Sequence, residues 1–151
     1  MTRAIVYDRC IDAARTLCAR LRKAHISATA VHPTDFDRTF EDGMPHFLIT
    51  ELAMPMFSGF ELIRDVRSEW SSRDLPIIAY TSVDDALAWA KARELGADEI
   101  VAKMGIDPIK RLQAAIERCL RRDEPQPPAP AARPLGVFSR WFHRPAVAAA
   151  A

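Results

Sequence analysis

The stretch Leu48-Ile49-Thr50-Glu51-Leu52-Ala53-Met54-Pro55 carries an apolar run into a carboxylate and then into a proline-containing loop. Such a run reads as a buried strand. Open α/β sheets bind their ligands just past the carboxyl ends of their strands. The pattern therefore places Glu51 at the mouth of such a sheet.

Working outward, apolar runs alternate with amphipathic ones from residue 3 to residue 120. Strands are predicted over 3–7, 27–31, 46–50, 76–81 and 99–102. Helices are predicted over 10–23, 59–69, 84–95 and 108–120, from apolar residues at helical spacing such as Ala14, Leu17, Cys18 and Leu21. A short, weak helix is read over 35–41, ended by Gly43. Gly96 suits a helix C-terminus. Strands alternating with helices predict an α/β fold with a parallel sheet covered on both faces. Right-handed crossovers leave few topologies for it.

Composition limits the function classes. The chain has 151 residues, enough for one domain with a real core. A net charge of +1 exerts no global pull on nucleic acid. Cys10, Cys18 and Cys119 are too scattered for a disulfide framework or a zinc site, which favours a reducing cytoplasm. The four histidines show no ligand spacing. No secretory signal and no long apolar span is read, so membrane spanning is not expected.

The character of the chain changes near residue 122. Residues 1–121 read as the domain. Residues 122–133 are rich in proline and alanine and read as an extended or disordered linker. Residues 134–145 carry Leu135, Phe138, Trp141 and Phe142 between two prolines, and residues 146–151 are a plain tail. Disordered segments are usually poor in aromatics. This one reads as a docking motif too short to be a helix alone, one that would fold on a partner's groove. Packing on its own domain or on a membrane surface are the other readings, the membrane less favoured. The segment 122–151 holds four arginines against Asp123 and Glu124, a mild basic bias.

Four predicted strand ends carry polar groups: Tyr7-Asp8, Glu51, Thr81-Ser82 and Lys103. Any one alone is an ordinary surface group. Their order and spacing, with Met54-Pro55-Met56-Phe57-Ser58-Gly59 after Glu51 and Gly96-Ala97-Asp98-Glu99 before the fifth strand, resemble response-regulator receiver domains over residues 3–120. The resemblance implies a doubly wound, five-stranded CheY-like sheet of order 2-1-3-4-5. It implies Glu51 at the phosphoacceptor position, usually an aspartate. It puts Tyr7 and Asp8 where an acidic pair is usual, Ile100 at a switch position that is usually aromatic, and Met104 where a proline usually follows the lysine. Thr81, Ser82 and Lys103 keep the family pattern.

These departures bear on the reaction. Phosphoryl transfer to a carboxylate depends on positioning and on charge neutralisation by a metal. Magnesium demands oxygen ligands in near-ideal octahedral geometry, and a phenol at Tyr7 stays neutral near pH 7. Glu51 adds a methylene, moving the carboxylate by up to about 1.5 Å. A misplacement near 1 Å costs on the order of 100-fold. The sequence thus predicts weak or absent magnesium binding, no other cofactor, no enzymatic activity and a pseudo-receiver that is not phosphorylated. Glu51 could instead reach Lys103 and Thr81, either imitating a phosphorylated aspartate or only satisfying the lysine.

The expected role is a cytoplasmic signalling or assembly adaptor without an effector domain. Trp89 and Arg93 are read as outward-facing partner contacts on the fourth helix, the other reading of Trp89 being a ring that lies flat on its own domain. The resemblance implies a face made by the fourth helix, fifth strand and fifth helix, which would also serve a homodimer. Two other readings are a working phosphoacceptor that uses Asp8 and a membrane-associated scaffold that uses the tail.

Overall fold

Strand β1 (Thr2–Tyr7) sets the layering. Its side chains alternate across the pleat. Ala4 and Val6 join Leu17, Leu21, Leu112 and Ile116 in one apolar cluster, while Ile5 and Tyr7 join Leu62, Ile63 and Val66 in another. The computed structural model describes residues 1–121. After β1 come α1 (Ile11–Lys23), β2 (Ile26–Val31), a 3-10 segment (Pro33–Phe40), β3 (Phe47–Thr50), α2 (Gly59–Glu69), β4 (Ile77–Thr81), α3 (Ala86–Leu95), β5 (Glu99–Ala102) and α4 (Pro108–Leu120). The strands pair in parallel in the order β2-β1-β3-β4-β5. Helices α1 and α4 cover one face, and α2, α3 and the 3-10 segment cover the other. This is the doubly wound sheet expected from the sequence.

The two clusters hold the sheet between them. Leu21, Leu48, Ile49, Ile63, Ile77, Ile78 and Leu112 are essentially inaccessible. Full burial of such a side chain stabilises by about 1.5–3 kcal/mol. Local signals set the helix ends. Ser58 and Glu61 form a reciprocal capping box at α2. Asp85 accepts from Leu87 N and Ala88 N at α3, and Gly96 at φ 114° closes that helix. Pro108 opens α4.

The weak helix expected over 35–41 is a 3-10 segment instead. Asp35 departs from helical geometry at φ −102° and ψ 29°. The threefold repeat aligns Phe36 with Thr39. Phe36 stacks on Tyr7 at 5.6 Å between ring centroids, and Thr39 Oγ1 donates to Phe36 O at 2.5 Å. The segment thus follows the rings it covers rather than helix propensity.

On the side opposite the strands' carboxyl ends, Arg67 ties α2 to the turn before β5. Its guanidinium donates to Gly96 O at 2.9 Å, Leu75 O at 2.8 Å, Trp70 O at 3.3 Å and Asp98 Oδ2 at 2.6 Å. The linker, the aromatic motif with Leu135, Phe138, Trp141 and Phe142, and the final tail lie outside the described residues. Among the described residues no helix is long and apolar enough to cross a membrane.

Candidate functional site

The carboxyl ends of β1, β3, β4 and β5 meet at one rim. Backbone bonds set their spacing: Glu51 N donates to Tyr7 O at 3.0 Å and Lys103 N to Thr81 O at 2.8 Å. Gly59 lets α2 press on the loop after β3. A Cβ there would lie 2.1 Å from Glu51 O and 2.7 Å from Leu52 Cα.

Glu51 is 1% exposed. Its side chain folds back over its own loop. Oε1 accepts from Leu52 N at 2.8 Å, from Ala53 N at 3.2 Å and from Thr81 Oγ1. Oε2 accepts from Ser82 N at 3.0 Å, Ser82 Oγ at 3.1 Å and Lys103 Nζ at 2.8 Å. Thr81 Oγ1 in turn accepts from Val83 N at 3.0 Å. Lys103 Nζ also lies 2.5 Å from Asp8 Oδ2, and Asp8 Oδ1 accepts from Cys10 N at 2.9 Å. One ammonium therefore bridges two carboxylates from different strand ends.

The bridge fixes the charge states. Burial by itself would raise the Glu51 pKa, but hydrogen bonds from Lys103, Thr81 and Ser82 outweigh it and hold the carboxyl at about 2. Burial would lower the Lys103 pKa, and Asp8 and Glu51 together push it above the ordinary range instead. At neutral pH Glu51 is therefore a carboxylate and Lys103 an ammonium.

The structure brings together Asp8, Glu51, Thr81, Ser82 and Lys103. Tyr7 is a correction to the expected pocket. It lies on the Ile5 side of β1, is 1% exposed, and its hydroxyl bonds Thr39 Oγ1. Burial pushes its pKa far up, so it stays a neutral phenol. Trp89 is a second correction, since it does not face outward. Its indole is half-buried against the α2 side of the core and donates Nε1 to Val83 O at 2.7 Å. The reason is the loop before α3, which leaves that carbonyl within the ring's reach. Arg93 is exposed. Ile100 is buried in the cluster containing Ala92 and Ala97.

Sequence reasoning missed three contributors. The amides of Leu52 and Ala53 have no side-chain signature. Arg111 on α4 had no motif to mark it, yet it holds the loop after Lys103. It donates to Ala102 O at 3.0 Å, Met104 O at 2.5 Å and Ile106 O at 3.1 Å. A proline in place of Met104 would stiffen that loop by another route.

Residues 10–117 match the response regulator receiver domain. The chain belongs to the response regulator receiver family. The receiver is 31% identical over 121 residues to a probable transcriptional regulator, ycf27, of Cyanophora paradoxa, covering 80% of this chain and 48% of that protein. It is 32% identical over 117 residues to the transcriptional regulatory protein AfsQ1 of Streptomyces coelicolor, covering 75% of this chain and 49% of that protein. The chain thus spans about half the length of these two relatives. Among solved structures, the BeF3-activated N-terminal receiver domain of Klebsiella pneumoniae RstA superposes with a TM-score of 0.70 at 20% identity, over 80% of this chain and all of that one. A two-component response regulator from Clostridium difficile gives 0.70 at 19%, over 81% of this chain and 98% of that one. These two likenesses show the fold.

The magnesium ion that the family implies does not fit the donors present. A carboxylate offers about four lone-pair positions, and Glu51 already accepts from six donors. Asp8 has one oxygen on Lys103 and the other on Cys10 N. Tyr7 offers no oxygen to this rim.

Proposed function

We propose that this receiver has lost the phosphoryl-transfer reaction and serves as a non-enzymatic protein-interaction adaptor in bacterial cytoplasmic signalling. The observation that carries the reading is the saturation of Glu51. A carboxylate attacks phosphorus through an oxygen lone pair, and both Glu51 oxygens are occupied by donors held on three different strand ends. The methylene that separates Glu51 from an aspartate lets the carboxylate reach Thr81, Ser82 and Lys103 together. The contacts that would position a transferred phosphoryl group are thereby turned inward.

The adaptor half of the reading rests on surface. Leu87 is 80%, Met104 68% and Ile106 87% exposed, all near the carboxyl ends of β4 and β5. A contiguous exposed apolar patch suits protein contact, and Met104 and Ile106 stand two residues apart on one loop. The three side chains belong to α3 and to the loop between β5 and α4, the region expected to meet a partner or a second copy.

The deciding experiment is incubation with radiolabelled acetyl phosphate and magnesium. The wild-type chain is expected to incorporate nothing, and Glu51→Asp to gain incorporation. Label on the wild type that disappears in Asp8→Asn would overturn the reading in favour of an acceptor at Asp8. Replacing Leu87 and Ile106 by aspartate should remove the partners that the full chain retains in a pull-down. An unchanged partner set would remove the adaptor surface.

A further inference from the structure

We infer that the Lys103 ammonium takes the place of a divalent cation, so that this chain organises its acidic rim without metal. The inference deepens the preceding proposal and rests on its placing the chain outside phosphoryl chemistry. Nζ sits 2.5 Å from Asp8 Oδ2 and 2.8 Å from Glu51 Oε2, between carboxylates contributed by β1 and β3. A cation shared by those two oxygens would occupy the same space.

The surroundings support the ammonium over a metal in three ways. First, the oxygens facing away from Lys103 are committed. Glu51 Oε1 is held by Leu52 N and Ala53 N, and Asp8 Oδ1 by Cys10 N. Backbone amides cannot turn aside without moving the strand ends. Second, magnesium gathers six oxygens at roughly 2.0–2.1 Å. The groups crowding the far side of Glu51 Oε2 are the donors Ser82 N and Ser82 Oγ. An N–H cannot become a ligand. Third, the charge is already offset. One ammonium and these amide dipoles face two carboxylates, leaving less than a full dianion to attract a second cation.

Lys103 is also anchored from behind. Lys103 N is bonded to Thr81 O at 2.8 Å, and its Nζ lies 5.5 Å from the centroid of the Tyr80 ring. Arg111 ties the carbonyls of its two neighbours, Ala102 and Met104. An incoming cation would have to expel a lysine whose backbone is held in place.

The two oxygens that the ammonium holds, Asp8 Oδ2 and Glu51 Oε2, are the only ones its removal would free for a cation, and water would have to supply the remaining ligands. The test titrates Mn2+, a paramagnetic substitute for magnesium, into the full chain. It reads water-proton relaxation and the thermal midpoint. The wild type is expected to show no saturable binding over the millimolar range and no Mn2+-dependent shift of its midpoint. Lys103→Met should gain saturable binding and a midpoint that rises with Mn2+. Adding Asp8→Asn to that variant should abolish both. If Lys103→Met folds only with Mn2+ present, that dependence is itself the expected gain. If it does not fold at all, Lys103→Gln keeps a neutral polar head and should show the same behaviour.

Saturable Mn2+ binding by the wild type overturns the inference, and so does a folded Lys103→Met or Lys103→Gln that gains none. The two proposals fail separately. A wild type that binds Mn2+ but takes up no phosphoryl group removes this inference and leaves the adaptor reading. A wild type that ignores Mn2+ yet incorporates phosphate does the reverse.

Discussion

Replacing Glu51 with glutamine probes the bridge with little change of shape. The variant loses the negative charge and one acceptor oxygen. The wild-type carboxyl is held at about 2 against an ordinary 4.5. Each unit is worth about 1.4 kcal/mol, so its ionisation stabilises the fold by about 3 kcal/mol. Lys103 is 23% exposed, and solvent screening trims the figure to about 2–3 kcal/mol. The folded-state value is depressed, so this stability is fully present above 4.5 and is lost as pH falls toward 2. Glu51→Gln should therefore lie about 2–3 kcal/mol below wild type at neutral pH. The gap should stay level down to pH 4.5 and then close towards pH 2, where the wild type takes up its own proton. Urea unfolding of the full chain, followed by far-ultraviolet circular dichroism across that range, measures it. A neutral-pH gap below about 0.5 kcal/mol, the size of an ordinary surface substitution, would refute the reasoning. So would a gap that persists unchanged to pH 2.

Three further outcomes are expected. Gly59→Ala drives a methyl into Glu51 O and Leu52 Cα and should cost about 1–3 kcal/mol, read as a lower thermal midpoint. Arg67→Ala strips the guanidinium from Asp98, whose side chain is 3% exposed. It should cost about 3 kcal/mol or more in urea unfolding, with Arg67→Lys recovering only part because the fork to Gly96 O and Leu75 O is lost. Ser58→Ala removes the capping box and should cost about 1 kcal/mol; a change near zero would mean that the packing of Gly59 alone sets the start of α2.

The layering was legible because it follows from periodicity. The helices over 59–69 and 108–120 and the strand over 99–102 coincide with the structure, since each has a clear apolar stripe or run and a marked boundary. The segment after β2 was harder, because Pro33, Asp35 and Thr39 give little helical preference and its geometry is set by contact with Tyr7. Tyr7 itself was read from its place beside Asp8. The pleat decides otherwise: it shares its face with Ile5, and only the residue beyond the strand, Asp8, turns to the rim. Helical spacing put Trp89 outside the core stripe of α3, but spacing does not register a carbonyl that an indole can reach from the preceding loop. At the rim, residue types and order identified Asp8, Glu51, Thr81, Ser82 and Lys103. The amides that hold Glu51 carry no identity in the sequence and emerge only when strand ends and loops are placed in space.

The bridge also bears on how long the native state lasts. The contact between Lys103 and Asp8 spans 95 residues, and it cannot close until β1, β3, β4 and β5 have assembled in order. The chain pays the loop-closure entropy for that arrangement before the ions meet. A contact of such long range is expected to form after the folding barrier, where it would slow escape from the native state without hastening arrival. Loss of about 2–3 kcal/mol there should speed unfolding roughly 30- to 150-fold and leave the folding limb of a chevron plot in place. On that expectation the three ionic groups at the rim act as a late-closing latch that lengthens the life of the native state.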